Sequence, residues 1–347
     1  MTDTPSLKAK STYYYNMDII RYILALAVIV AHTNEIAGYS TPFFLSSFEA
    51  VGGFFALSGF LMYPNYIRHN NFFGYLRQRA RRIMPPYILI VLLAAIFLVV
   101  ASSLSAGQYY TSSGFLAYLG ANLSFLNWLH PDLPGVFQGA EFSTPAVNGS
   151  LWTMKIEWCL YFSVPLFILL QRHIRRMSNI SLVILVILFS IGYRVLFTSL
   201  YLKTGAELYN ILSRQLMGQF SYFYCGMLVY FIKDFFTRNI LFMGAGGLVL
   251  LLISRLSLFG SIILNPVAIT MLVMTISLMP YTFSALHHRN NVSYEMYLFH
   301  FPIIQFGVFL GINHNNIWIE YIYVLSTTIL LSVAAHYGIE KMLKKRK

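Results

Sequence analysis

The sequence predicts an all-α membrane protein, a polytopic bundle of about ten transmembrane helices with both termini in the cytoplasm. Composition is the first reason, because 57% of the 347 residues are hydrophobic and only 10% are charged, whereas soluble domains carry roughly 25% charged residues. The second reason is a series of apolar segments near the length of about 20 residues that a bilayer requires. These ten segments are residues 17–35, 49–65, 83–104, 150–170, 179–200, 211–232, 239–256, 261–282, 292–311 and 318–340.

The distribution of Lys and Arg predicts the orientation of these helices. Basic residues cluster after every second segment, at 68–82, 172–176, 233–238, 287–289 and 341–347. Since basic loops stay in the cytoplasm, we expect a cytoplasmic tail at 1–16, one transmembrane domain at 17–340 and a basic cytoplasmic tail at 341–347. The formal net charge of +12 therefore indicates topology and a lipid environment rather than nucleic-acid binding. We expect no cleaved signal peptide and no appended soluble domain.

One predicted external loop, residues 105–149, is much longer than the others and contains several Pro and Gly residues. Its apolar middle part, residues 115–129, is too short to span a bilayer, so we expect a re-entrant or an interfacial helix there. Cys159 and Cys225 both lie in apolar segments and are expected to be small core side chains.

The first apolar segment contains two ionisable residues, Arg21 and His32, that are eleven positions apart. At about 100° per residue this is roughly three helical turns, so both side chains fall on one stripe about 16 Å apart along the axis. Ionisable groups inside a span usually face the protein interior or a wet cavity and mark a functional site. The alternative is a lipid-interface anchor at Arg21 and a hydrogen-bonded core histidine at His32.

A second candidate site is a cluster of four arginines before the Pro-Pro pair of the third segment. Its members are Arg77, Arg79, Arg81 and Arg82. Guanidinium groups bind phosphate through paired hydrogen bonds, and the predicted topology exposes this cluster to the cytosol, where phosphorylated cofactors are available. The alternative is an anchor that contacts lipid phosphates.

The fourth segment contains an intramembrane carboxylate, Glu157, about two turns from its external end. His32 is its first candidate partner, because a carboxylate can orient an imidazole and increase its basicity. A structural ion pair with a cation of another helix is the alternative. His300 lies in an aromatic run of the ninth segment, where a core histidine is common. We find no nucleotide-binding loop and no metal-ligand spacing, so no metal site is predicted.

Five short patterns together resemble the acyltransferase 3 family, integral-membrane O-acyltransferases that modify bacterial surface polysaccharides. Each pattern is weak alone, but the five occur in order across residues 17–302, which makes the combination specific. The matching residues are Arg21 and His32; Phe54 to Leu61; Arg79, Arg82, Ile83 and Pro85; Trp152, Thr153, Met154 and Glu157; and Ser293, Tyr294, Tyr297, Leu298, His300 and Pro302. Met154 replaces the family's Leu, and Lys155 has no counterpart in the pattern.

The resemblance implies transfer of an acyl group, usually acetyl, from cytosolic acyl-CoA to a hydroxyl of a cell-surface saccharide or its lipid-linked precursor, in the bacterial inner membrane. His32 would be the general base or a transient acyl carrier, Glu157 would orient it, and Arg21 would bind the donor or neutralise developing charge. The four clustered arginines would hold the coenzyme A phosphates. Supporting or substrate-binding roles would fall to His300, Ser58, Trp152 and Tyr294.

Two other functions remain open at this stage. A transporter or acyl-group exporter that feeds a separate transferase would use the same intramembrane charges as a substrate path. A structural subunit of an envelope complex would leave the arginines with lipid phosphates alone. The identity of the acceptor, the length of the acyl chain and the oligomeric state also remain open.

Overall fold

A computed structural model describes residues 14–39, 41, 45–69, 71–174, 176–280, 291–312 and 316–344. The regular structure of these residues is helical, and they form no strand. This finding confirms the all-α prediction. The helices are α1 (Asn16–Ala37), α2 (Ser47–His69), α3 (Phe72–Phe97), α4 (Ala106–Thr111), α5 (Ser113–Leu123), α6 (Trp152–His173), α7 (Asn179–Thr204), α8 (Glu207–Arg214), α9 (Leu216–Phe231), α10 (Lys233–Arg238), α11 (Ile240–Ser254), α12 (Leu258–Leu278), α13 (Ser293–Phe309) and α14 (Ile317–Lys344), with short 3-10 helices at Leu98–Ala101 and Gly149–Leu151.

Within the described residues, six helical stretches are long and apolar enough to cross a membrane. They are Asn16–Ala37, Phe72–Ala101, Gly149–His173, Asn179–Thr204, Leu258–Leu278 and Ile317–Met342. The four other predicted segments coincide with α2, α9, α11 and α13. The protein is therefore a helical protein with several membrane-length apolar helices. Arg175, the basic loop at 287–289, residues 1–13 of the predicted N-terminal tail and residues 345–347 of the C-terminal tail lie outside the described residues.

The helices form two compact units, and the first comprises Met1–Arg21, Gly52–Gln78 and Trp158–His287. Within it, α7 packs on α9, and α11 packs on α12. A close crossing of α2 and α9 depends on two glycines: a Cβ at Gly59 would overlap the carbonyl oxygen of Phe223, and one at Gly226 would overlap that of Ala56. Small residues of this kind allow helix backbones to approach each other in a membrane.

The second unit comprises Tyr22–Val51, Arg79–Glu157 and His288–Lys347. Its helices α13 and α14 run antiparallel, because Glu295 near the start of α13 contacts His336 near the end of α14, while Gly307 near the end of α13 lies against Glu320 near the start of α14. The apolar stretch of the long loop forms α5 and a following turn. It packs along α3, where the Tyr87 hydroxyl donates to the Asn122 carbonyl oxygen at 2.5 Å.

The middle of α13 contains Pro302, which has no N–H group to donate to the carbonyl oxygen of Leu298 four residues earlier. The Asn148 side-chain amide fills this gap and donates to the Leu298 oxygen at 2.8 Å. The Asn148 side-chain Oδ1 atom also accepts from the backbone N–H and the hydroxyl of Ser150, at 3.2 and 2.6 Å. The end of the long loop is therefore fixed against α13 at Leu298, two residues from His300.

Candidate functional site

His32 and His300 form a pair of parallel imidazoles in the second unit. The His32 Nδ1 atom lies 2.8 Å from the His300 Nε2 atom. The centroids of the two rings are 5.1 Å apart, with 8° between the ring planes. His300 is 0% exposed, and the edge of Phe301 packs against His32. Sequence reasoning gave His300 a supporting role, and the structure makes it the hydrogen-bond partner of His32.

One turn before His300, a group of hydroxyl-bearing side chains joins α13 to the start of α6. The Tyr297 hydroxyl lies 2.8 Å from the Thr153 hydroxyl and 3.2 Å from the carbonyl oxygen of Ser150. The Tyr297 ring lies 5.8 Å from that of His300, and Glu157 is close enough to Tyr297 to interact electrostatically. Glu157 therefore belongs to the surroundings of the histidine pair, while its predicted contact with His32 stays a prediction.

The first turn of α13 contacts the helix that carries the arginine cluster. The Tyr294 hydroxyl donates to the carbonyl oxygen of Ile83 at 3.2 Å and lies 3.3 Å from the sulfur of Met154. Ile83 directly follows Arg82 in α3, so Tyr294 lies beside the arginine-rich turn. Trp152, the remaining aromatic candidate, is half-buried and begins α6.

Three side chains, Tyr294, Tyr297 and His300, follow one another at intervals of three residues on α13. Residues three apart lie on neighbouring parts of one helix face, and six residues span about 9 Å along the axis. This face connects Ile83 of α3 to the histidine pair within the second unit. The arginines of that unit differ in exposure: Arg79 is 8% exposed, whereas Arg81 and Arg82 are exposed.

The remaining predicted site residues lie in the first unit. Arg21 is on the same helix as His32, as the spacing predicted, and its guanidinium group forms an ion pair with Asp18 at 2.9 Å. Arg77 is exposed on α3, and Ser58 is half-buried on α2 next to the closely packed Gly59.

Sequence reasoning missed Glu35. Its Oε2 atom lies 4.0 Å from the Nε2 atom of His32, and its side chain is 60% exposed. The spacing from His32 is three residues, which places both on one face of α1, so helical periodicity would have identified it. Glu35 therefore lies at the Nε2 edge of the His32 ring, whereas His300 lies at its Nδ1 edge.

The fold and the histidine pair define a polytopic helical membrane protein with a polar site inside its helices. The acyltransferase 3 family model, described as an acyltransferase domain, matches residues 14–337, and the chain belongs to this family. The chain is 28% identical over 150 residues to an "O-acetyl transferase" of Shigella phage Sf6, a match that covers 42% of this chain and 43% of that protein. It is 26% identical over 189 residues to "Nodulation protein 10" of Rhizobium leguminosarum bv. viciae, over 50% of this chain and 49% of that protein.

The matched segments thus span about half the length of these two curated relatives. No solved structure matches the chain.

Proposed function

We propose that this protein is a membrane O-acetyltransferase that uses the His32–His300 pair as its reaction centre. It moves an acetyl group from cytosolic acetyl-CoA to a hydroxyl of a cell-surface saccharide or its lipid-linked precursor. The observation that carries the proposal is the hydrogen bond of 2.8 Å between His32 and a fully buried second histidine, in a chain of the acyltransferase 3 family. The relative named as an O-acetyl transferase supports acetyl as the transferred group.

The donor binds through its phosphates at the arginine cluster. Arg79 and Arg82 are one helical turn apart in the first half of α3, and guanidinium groups pair with phosphate oxygens through two parallel hydrogen bonds. The pantetheine arm of coenzyme A is long and thin, so the α13 face that begins at Tyr294 and ends at His300 offers it a route. The thioester would then reach His32 while the phosphates remain at the arginines.

His32 acts on the acceptor as a general base. It takes the proton of the acceptor hydroxyl while the hydroxyl oxygen attacks the thioester carbonyl carbon. The carbon–sulfur bond then breaks, and the proton passes from His32 to the sulfur, which gives the ester and free coenzyme A. If His32 instead carries the acetyl group transiently, the ring nitrogen that would act as the base first attacks the thioester carbonyl carbon. Arg21 and Glu157 would contribute charge stabilisation and orientation.

The membrane arrangement that fits this reaction has ten spans with both termini in the cytoplasm of a bacterial inner membrane. In this arrangement the arginine cluster faces the cytosol, where acetyl-CoA is available. The acceptor then approaches from the external side, where α1 ends at Ala37 and where the loop of residues 105–149 would help to select it.

Incorporation of label from acetyl-CoA tests the function. Membrane vesicles that contain the wild-type protein and receive radiolabelled acetyl-CoA should accumulate label in their saccharide and lipid-linked saccharide fractions. His32→Ala should abolish the incorporation, whereas His173→Ala, at an exposed position at the end of α6, should not. Retained incorporation in a well-expressed His32→Ala protein would contradict the proposal. Donor binding and export without incorporation would favour the transporter function.

A further inference from the structure

The hydrogen bond between the two histidines has a direction that the rest of the structure determines. A neutral imidazole has one nitrogen that donates and one that accepts. In the contact between His32 Nδ1 and His300 Nε2, one of these two atoms must therefore carry the hydrogen and the other must be bare. The contact on the other side of the His300 ring selects between these two possibilities.

The second nitrogen of His300 faces a group that can only accept. Its Nδ1 atom lies 3.3 Å from the carbonyl oxygen of Met296, and a carbonyl oxygen has no hydrogen to donate. The hydrogen of a neutral His300 must therefore be on Nδ1 for this contact to be a hydrogen bond. The Nε2 atom of His300 is then bare, and it can only accept from His32.

The opposite arrangement would be costly in this environment. If His300 donated from Nε2, its bare Nδ1 would face the Met296 oxygen, and two lone pairs would meet at a site that is 0% exposed. A buried polar group left without a hydrogen-bond partner destabilises the structure. A doubly protonated His300 would satisfy both contacts only by placing a charge at a fully buried position.

We propose that His300 is a positioning residue that fixes His32 as the tautomer with its hydrogen on Nδ1. The Met296 carbonyl oxygen orients His300, and His300 Nε2 accepts from His32 Nδ1. The Nε2 atom of His32 is consequently bare and is the nitrogen that reacts. This inference rests on the proposed function for the identity of the reaction, but the tautomer itself does not depend on it.

The same geometry determines which edge of the His32 ring meets the acceptor hydroxyl. His32 Nε2 lies on the ring edge away from His300, 4.0 Å from Glu35 Oε2, so the acceptor hydroxyl meets His32 on the side of Glu35. When Nε2 takes the hydroxyl proton, the Nδ1–H group of His32 keeps its hydrogen bond to His300, which stabilises the new imidazolium. The hydrogen of His300 is on Nδ1 and is donated to the Met296 carbonyl oxygen. The proton taken from the acceptor therefore stays on His32 until the thiolate takes it.

Nitrogen NMR of the protein with labelled histidine tests the tautomer directly. Full-length protein in lipid nanodiscs should show a His32 signal with Nδ1 protonated and Nε2 bare, assigned by its loss in His32→Asn. In His300→Leu, the accepting nitrogen is absent, and the signal should shift to a mixture or to the tautomer protonated at Nε2. A wild-type His32 protonated at Nε2 would overturn the proposal, whether or not the protein transfers acetyl groups.

Two amide variants of His300 test the positioning role in the reaction. The Gln side chain can place its oxygen near the position of Nε2, whereas Asn reaches only the position of Nδ1. We expect His300→Asn to lower kcat by about 10–100-fold, the range found for hydrogen-bond partners that orient metal-ligating histidines, with the KM for acetyl-CoA unchanged. His300→Gln should retain several-fold more activity than His300→Asn. Equal losses in both variants, or a loss confined to KM, would show a packing or binding role and overturn the proposal.

Failure of this inference is separable from failure of the proposed function. If wild-type vesicles incorporate no label, acetyl transfer is wrong, and the NMR result alone decides the tautomer. If vesicles incorporate label but the NMR signal shows Nε2 protonated, the transfer function stands and the role of His300 does not.

Discussion

At the scale of single residues, the position of His300 depends on a loop side chain. Asn148 supplies the hydrogen bond that Pro302 denies to Leu298, and it holds the first turn of the Gly149–Leu151 helix through Ser150. Asn148 is 7% exposed, so the groups that it satisfies have little access to water. Removing it leaves a buried carbonyl oxygen without a donor.

We therefore expect Asn148→Ala to destabilise the protein by about 1–3 kcal/mol, measured as a lower thermal midpoint in detergent. The cost should be smaller in a Pro302→Ala background, because residue 302 then has an N–H group for the Leu298 oxygen. The two positions should be coupled by about 0.5–3 kcal/mol in a double-mutant cycle. Asn239→Ala, which removes a bond to the Phe235 oxygen in a more exposed place, is the control. Strict additivity would contradict this account.

Arg79 gives the most specific test of phosphate binding, because it is the buried member of the arginine cluster. A charge-assisted hydrogen bond contributes about 1.5–3 kcal/mol, so Arg79→Ala should weaken acetyl-CoA binding by roughly 10–100-fold. Arg79→Lys should fall between the wild type and Arg79→Ala, because it keeps the charge and loses the planar fork. Arg172→Ala, at an exposed position on α6, is the control. Calorimetry with purified protein measures these affinities, and wild-type binding by Arg79→Lys would contradict paired hydrogen bonds.

The identity of the candidate residues was easier to predict than their partners. Intramembrane His32 stands out in the sequence because an ionisable group there is costly, and helical spacing linked it to Arg21. Its partner His300 is 268 residues away along the chain, and its orientation depends on a carbonyl oxygen in its own helix. No residue pattern encodes such a contact, which arises only when α1 and α13 pack together.

At the scale of helices, the ten apolar segments all coincide with described helices, but two of them differ in extent from the prediction. The third begins at Phe72 rather than near residue 83, so Pro85 and Pro86 lie inside α3 instead of opening it. These prolines deprive the carbonyl oxygens of Arg81 and Arg82 of their N–H donors, and both arginines are exposed. The interruption of the helical hydrogen bonds therefore lies at two exposed residues, where hydropathy alone predicts the helix to begin.

The sixth predicted segment is two helices rather than one. Residues 211–232 include the end of α8 and all of α9, separated by an extended Gln215. The Ser213 carbonyl oxygen packs against Gly218 closely enough that a Cβ there would overlap it. A polar run, Ser213, Arg214 and Gln215, lies at this break, but it is short enough that the hydropathy of the whole segment predicts a single helix.

The α2–α9 crossing makes a prediction for helix packing. In Gly59→Ala the new Cβ would meet the backbone oxygen of Phe223, which cannot move without its helix, so the two helices must separate. We expect a large loss of folded protein, measured by size-exclusion chromatography after extraction. Gly192→Ala is the matched control, because nothing lies within 4 Å of its Cβ and Ala is favoured over Gly in a helix by about 0.5–1 kcal/mol. Similar yields from the two variants would contradict the close crossing.

At the scale of the whole molecule, the proposed topology assigns each loop to one side of the membrane. The ends of α6 and α10, which carry Arg172 and Arg238, are expected in the cytoplasm. The end of α7 with Lys203 and the turn after α11 with Arg255 are expected outside. The reason is that the loops assigned to the cytoplasm together carry the larger number of Lys and Arg residues, and such an excess is retained on the cytoplasmic side.

Cysteine labelling in intact cells tests this assignment in a protein from which Cys159 and Cys225 have been removed. A membrane-impermeant maleimide should label Lys203→Cys and Arg255→Cys in intact cells, and it should label Arg172→Cys and Arg238→Cys only after lysis. All four positions should label in lysed cells, which controls for burial. The opposite pattern would mean that the protein has the inverted orientation in the membrane. The arginine cluster would then lie outside, away from cytosolic acetyl-CoA. Labelling of both Arg172→Cys and Lys203→Cys in intact cells would mean that α7 does not cross the membrane.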